Sequence, residues 1–74
     1  MTADLHFTDH GSIWLMEPRT ELATAWIAEH IPNDAQRFGD AIVIEPRYVE
    51  SIVEGATFDG LVCVNLGRAL ERLQ

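Results

Sequence analysis

Apolar positions along this 74-residue chain recur at two spacings, which divide it into short strands and two helices. From Leu22 onward, Leu22, Ala23, Trp26, Ile27, His30 and Ile31 fall on one broad face at the spacing of an amphipathic helix, so that face is predicted core. Thr20 is a favourable N-cap, Glu21 lies in the positive first turn, and Pro32-Asn33-Asp34 closes the helix near Ile31. Pro46 suits the first position of a second helix. There Tyr48, Val49, Ile52, Val53 and Ala56 form the predicted buried stripe, while Arg47, Glu50, Ser51 and Glu54 point outward. Thr57-Phe58-Asp59-Gly60 reads as a turn.

The remaining apolar runs are too short for helices. Ser12 to Met16 predicts a strand that Glu17-Pro18 stops. Ala35 to Phe38, the turn Gly39-Asp40 and Ala41 to Ile44 predict a hairpin. Ala41-Ile42-Val43-Ile44 is apolar at both parities, as in a strand covered on two faces or central in its sheet. Leu61 to Val64 is the last clear strand, broken by Gly67, and Leu66, Ala69, Leu70 and Leu73 predict one or two closing helical turns. Residues 1–9 mix Asp4, His6, Thr8 and Asp9 with Leu5 and Phe7, which predicts a frayed tail or an edge strand.

The order β-α-(β)β-α-β gives a single α+β domain over residues 1–74. It has a three- to four-stranded sheet and two helices on one face, placed together by right-handed crossovers if the main strands are parallel. The opposite sheet face is then open unless the N-terminal strand, the C-terminal helix or a second copy covers it, so monomer and homodimer both stand. Exposure of Ile13, Leu15, Ile42 or Ile44 would mark the dimer.

Composition makes this reading feasible and narrows the partners. A chain of this length buries only about 60 % of its unfolded surface, close to the lower limit for an unassisted core, but 47 % of its residues are hydrophobic. Twelve Asp and Glu face five basic residues, all Arg, for a net charge of −7. Direct binding to nucleic acid or to an anionic membrane needs clustered cations and is not expected. A basic protein partner suits the charge. No apolar run reaches membrane-spanning length. With one cysteine and no signal-like N-terminal run, a cytoplasmic location is the expectation.

No motif assigns chemistry. His6 and His10 are four apart, a metal-binding spacing on a helix, but Gly11 favours a turn, and two exposed titrating histidines is the favoured reading. Cys63 lies in Leu61-Val62-Cys63-Val64, where a small buried hydrophobe is expected rather than a nucleophile. Gly11-Ser12 lacks the second glycine of a nucleophile elbow, and no lysine exists to reach a phosphate. The expectation is therefore no enzyme, no catalytic residue, no metal and no cofactor; a small hydrolase or metal protein would need His6, His10, His30 or Cys63 in one pocket.

Charge is the remaining signal. Spread evenly over about 4,600 Å² of surface, seven net negatives leave about one in a standard interface half of about 800 Å². Mimicry of nucleic acid therefore requires the acids to segregate. Glu50 and Glu54 lie about 6 Å apart at Cβ, close to the repeat of phosphates along a strand. Asp34, Asp40 and Asp59 sit at loops, and Glu21 and Glu29 on the first helix. These seven are the candidate partner-binding residues. Arg47 beside Glu50 argues the other way, since an acidic surface is commonly only solubilising.

At His10-Gly11-Ser12-Ile13-Trp14-Leu15-Met16, at Phe38 to Tyr48 and at Phe58-Asp59-Gly60-Leu61, the chain resembles small proteins carried by phages and mobile elements. Within that group its size and acidity are similar to anti-CRISPR proteins. The resemblance spans about residues 10–64 and rests on apolar strands and turns. It implies a stoichiometric inhibitor that binds a Cas protein of a type I effector complex, with I-C the subtype suggested, and blocks nucleic-acid access as a DNA mimic. The alternative is a non-catalytic regulatory or structural module acting as a homodimer.

Overall fold

The computed structural model describes residues 2–68. It is an α+β domain in the order β1 (Leu5–Asp9), β2 (Trp14–Pro18), α1 (Glu21–His30), β3 (Arg37–Phe38), β4 (Ala41–Ile44), α2 (Pro46–Phe58) and β5 (Cys63–Arg68). The five strands form one mixed sheet in the order β3-β4-β2-β1-β5. β1 pairs antiparallel with β2 and parallel with β5, β2 antiparallel with β4, and β4 antiparallel with β3. The expected class and the two helices on one face are present, with one strand more than predicted.

The extra strand is β1. Its residues were expected to form a tail or an edge, yet β1 lies between β2 and β5. Its alternation explains this: Leu5 and Phe7 are fully buried toward the helices, while His6 and Thr8 point to the other face. A sheet with one open face accepts polar residues at every second position of an interior strand. Phe7, Met16 and Ile42 stand side by side across three strands and are all fully buried. Each stabilises the core by about 2–3 kcal/mol through the apolar area it removes from water. Ala23, Trp26 and Ile27 of α1 and Ala56 of α2 close over that row.

Three further expectations need correction. β2 does end at Pro18, but it spans Trp14–Pro18 rather than Ser12 to Met16, so Glu17 and Pro18 are themselves paired, opposite His6 and Leu5. Gly67 does not end the last strand; its N–H bonds Asn65 Oδ1 at 2.7 Å beside a bulge, and pairing resumes at Thr8–Gly67. Leu22 and Tyr48, assigned to buried stripes, are 57 % and 49 % exposed. With Ala23, Trp26 and Ile27 facing the sheet, Leu22 falls on the flank of α1; Tyr48 stands at the mouth of an apolar groove between α2, β4 and Ile31. The predicted C-terminal helical turns fall largely on residues 69–74, outside the described residues.

The ends of the helices follow from local chemistry. Ala23 N–H donates to Thr20 Oγ at 3.1 Å, the N-cap bond of α1. At the end of α2, Gly60 takes φ +94°, Gly60 N–H bonds Thr57 O and Leu61 N–H bonds Ala56 O. This paired closure requires a residue in the left-handed region, which glycine enters without steric cost. The β3–β4 turn likewise places Gly39 at φ +64°.

Asp4 joins the two halves of the chain. Its Oδ1 accepts the Thr20 hydroxyl at 2.7 Å and its Oδ2 accepts Val62 N–H at 2.8 Å. The Val62 amide first, and the Thr20 hydroxyl second, hold the Asp4 carboxyl below the usual carboxylate range. A carboxylate depressed in the folded state contributes stability that is full above its unfolded pKa and is lost as pH falls through its folded value. Asp4→Asn should therefore lower the melting temperature at neutral pH, with the gap to wild type closing in acid; a gap constant with pH would refute this. Thr20→Ala should cost about 1 kcal/mol, and in combination with Asp4→Asn less than the two separate losses, as measured by denaturant unfolding.

Candidate functional site

The structure sorts the carboxylates by what they touch. Asp4 is engaged as described, and Asp9 Oδ1 accepts Gly11 N–H at 2.8 Å in the β1–β2 turn. Glu17 pairs with Arg19 at 3.3 Å and Glu45 with Arg47 at 3.0 Å. The Arg47 guanidinium also lies 5.0 Å from the centre of the Tyr48 ring. Among the described residues, no cation stands within ion-pair distance of Glu21, Glu29, Asp34, Asp40, Glu50 or Glu54.

Those six fall in two places. Glu21 and Glu29 lie on α1, and Glu50 and Glu54 on α2, all exposed on the helix side of the sheet. That layer, from Glu21 through Asp59 and excluding the hairpin, carries Glu21, Glu29, Glu45, Glu50, Glu54 and Asp59 against Arg47 alone. Asp34 lies in the loop before β3 and Asp40 in the β3–β4 turn, so both belong to the edge hairpin. Arg37 and Arg68 are on the two edge strands. The acids are therefore concentrated over the helices.

Asp59 has a different role from the one expected of it. Trp26 Nε1–H donates to Asp59 Oδ2 at 2.8 Å, and Trp26 is nearly buried. His30 stacks on Trp26 with ring centres 4.4 Å apart. Its Nδ1 lies 2.9 Å from the Trp26 carbonyl, which can only accept, so Nδ1 carries the proton. Nε2 then faces Asp59 Oδ2 at 3.6 Å. These groups wall an open cleft of about 400 Å³ with Glu29, Leu22 and Leu61. Among the described residues, the wall offers carboxylates and an aromatic stack and no arginine, which suits a cationic side chain and not a phosphate.

The sequence signal for this cluster is the i, i+4 spacing of Trp26 and His30, which fits a core stripe equally well. Nothing in the sequence ties either residue to Asp59, 33 positions from Trp26. The residues named for hydrolytic or metal chemistry are dispersed. His6 pairs with Val64 and Leu5 with Cys63, so His6 and Cys63 occupy opposite faces of the sheet, and His30 ends α1. Among the described residues, no three His, Cys, Asp or Glu stand together as metal donors. Cys63 is half-buried, and desolvation pushes its thiol up, away from the nucleophilic thiolate. Among the described residues, no helix is long and apolar enough to cross a membrane.

Comparison with known protein families, characterised proteins and solved structures finds nothing that matches the chain.

The contacts of Asp59 predict a split between its charge and its hydrogen bond. Asp59→Ala strands the Trp26 indole N–H and should cost about 1–2 kcal/mol. Asp59→Asn keeps an acceptor and should cost less than half of that. Denaturant unfolding, with the Trp26 Nε1–H resonance as the local probe, checks both; equal losses would show that charge, not hydrogen bonding, is what Asp59 supplies.

Proposed function

We propose that this protein is a non-catalytic, stoichiometric inhibitor of the anti-CRISPR kind, whose acidic helix layer occupies a basic, nucleic-acid-handling surface of a type I Cas effector complex. The observation that carries the reading is the segregation of charge: among the described residues, Glu21, Glu29, Glu50 and Glu54 share the helix side with a single arginine, and that arginine is engaged with Glu45 and Tyr48. An even spread of −7 would give an interface too little charge to compete for a basic groove. Concentration on one layer raises the local density and steers a cationic partner toward it. The cleft beside His30 offers an arginine of the partner the Glu29 carboxylate and an aromatic edge, with Asp59 held by Trp26. The Cas partner and the DNA-mimic role come from the resemblance of residues 10–64; the acidic face and its preference for cations come from the geometry.

Pull-down of purified type I effector complexes, run at low and high salt, tests this. Capture should weaken as salt rises and should compete with target DNA. Glu50→Lys with Glu54→Lys should reduce capture about tenfold or more and leave the helical circular dichroism unchanged, since both positions are exposed and lysine is a good helix former. Salt-resistant capture, or capture by none of the type I complexes, would overturn the proposal.

A further inference from the structure

The side of the sheet away from the helices has the opposite chemistry. Strand register places His6 and Thr8 of β1, Leu15 and Glu17 of β2, Val43 of β4, Phe38 of β3 and Val64 of β5 on that face. The expected dimer markers Ile42 and Ile44 are not there; both are buried beneath the helices, and Val43 is the β4 residue turned outward. A hollow of about 200 Å³ opens on the face, bounded by His10, Ile13, Leu15, Gln36, Phe38 and Val43. At its rim Phe38 is 72 % exposed, although it belongs to a strand, and Ile13 is 36 % exposed.

We infer that this face is a self-association surface on which a second copy of the chain packs about a two-fold axis, Phe38 of each subunit entering the hollow of the other. Shape, charge and area support this occupant. The projecting ring and the receiving hollow belong to one patch, as an isologous two-fold contact requires. The molecule carries −7, and two copies meeting through their helix layers would bring like charges together. On the sheet face the one carboxylate placed by register is Glu17, and Arg19 at 3.3 Å offsets it. Two copies therefore meet here without the repulsion that their other broad side imposes.

The area sets the strength. The 22 strand residues, at about 3.4 Å each along strands about 4.8 Å apart, present roughly 360 Å² a side, or about 700 Å² for the pair. That is below the 1,200–2,000 Å² or so of stable complexes, so the dimer is weak and reversible. Salt separates it from the interface proposed above. Screening relieves the repulsion between two acidic subunits, so salt strengthens self-association while it weakens capture of a basic partner.

Sedimentation equilibrium of the full chain from about 10 μM to about 1 mM covers the range of a weak, reversible dimer. The expected result is a monomer–dimer equilibrium that shifts toward dimer with salt and is weakened at least about tenfold by Phe38→Asp and by Ile13→Lys. Both residues are exposed, so circular dichroism should show each variant folded. Isotope-filtered contacts between the Phe38 ring and Val43 methyls of the other subunit identify the face directly. A monomer throughout the range, a dimer indifferent to both substitutions, or one dispersed by salt overturns the inference. Glu50→Lys with Glu54→Lys should leave the dimer intact and Phe38→Asp should leave salt-sensitive capture intact, so the two interfaces fail separately.

Discussion

The Asp4 carboxylate is the point at which the N-terminal strand, the start of α1 and the entry to β5 are held together. Its two oxygens take one donor from Thr20 and one from Val62, and its backbone completes the junction: Asp4 N–H bonds Val62 O at 2.8 Å and Asp4 O accepts Arg19 N–H at 2.8 Å. The consequences propagate in both directions along the chain. Thr20, fixed by donating its proton to Asp4, turns its oxygen to Ala23 N–H and so sets where α1 begins. Val62, fixed by accepting and donating to the same residue, delivers β5 alongside β1 in parallel register. Parallel pairing of the first and last strands closes the longest loop in the molecule, and loop closure is the costly part of such a topology. A residue that bonds to both sides of that closure offsets part of the cost at the place where it arises.

From this junction follows the one-sided design of the domain. A chain this short can cover one face of a five-stranded sheet with two helices and has no further helix among its described residues for the other. Leu5, Phe7, Met16, Ile42 and Ile44 meet α1 and α2, and the alternate positions are left to solvent or to a partner. The two outer surfaces consequently differ in composition. The helices hold Glu21, Glu29, Glu50 and Glu54; the open sheet face holds Leu15, Val43 and Phe38. The molecule therefore presents two chemically distinct surfaces on opposite sides of its sheet.

Much of the frame was legible in the chain because local chemistry dictates it. Thr20 as N-cap, Pro46 at the first turn of α2, the Gly39-Asp40 turn and the stripe Val49, Ile52, Val53 and Ala56 all act through neighbours within a few residues. What escaped depends on the third dimension. The alternation in residues 5–9 is the same for an edge strand and for an interior strand with one open face, and only the pairing with β5 distinguishes them. Ile42 and Ile44 differ from Val43 by parity alone, and which parity faces the helices is decided by the register with β2. Leu22 and Tyr48 have the spacing of core residues and lie at its margin, because two helices on a narrow sheet bury less than half of their circumference.

The charge of the molecule is likewise not one quantity. Asp4, Asp9 and Asp59 accept hydrogen bonds from the protein itself, and Glu17 and Glu45 face their own arginines. A partner that draws one of these away from its internal donor leaves an amide, an indole or a guanidinium without its acceptor, and the gain at the interface is offset by the loss inside. Glu21, Glu29, Glu50 and Glu54 exchange only water when a cation arrives. Asp59 belongs by charge with the second group and by contacts with the first, which is why a count of acids assigns it to a binding surface and the indole of Trp26 assigns it to the fold. The effective acidity available to a partner is therefore set by which carboxylates the fold has left unoccupied, and on the helix layer those are the four glutamates.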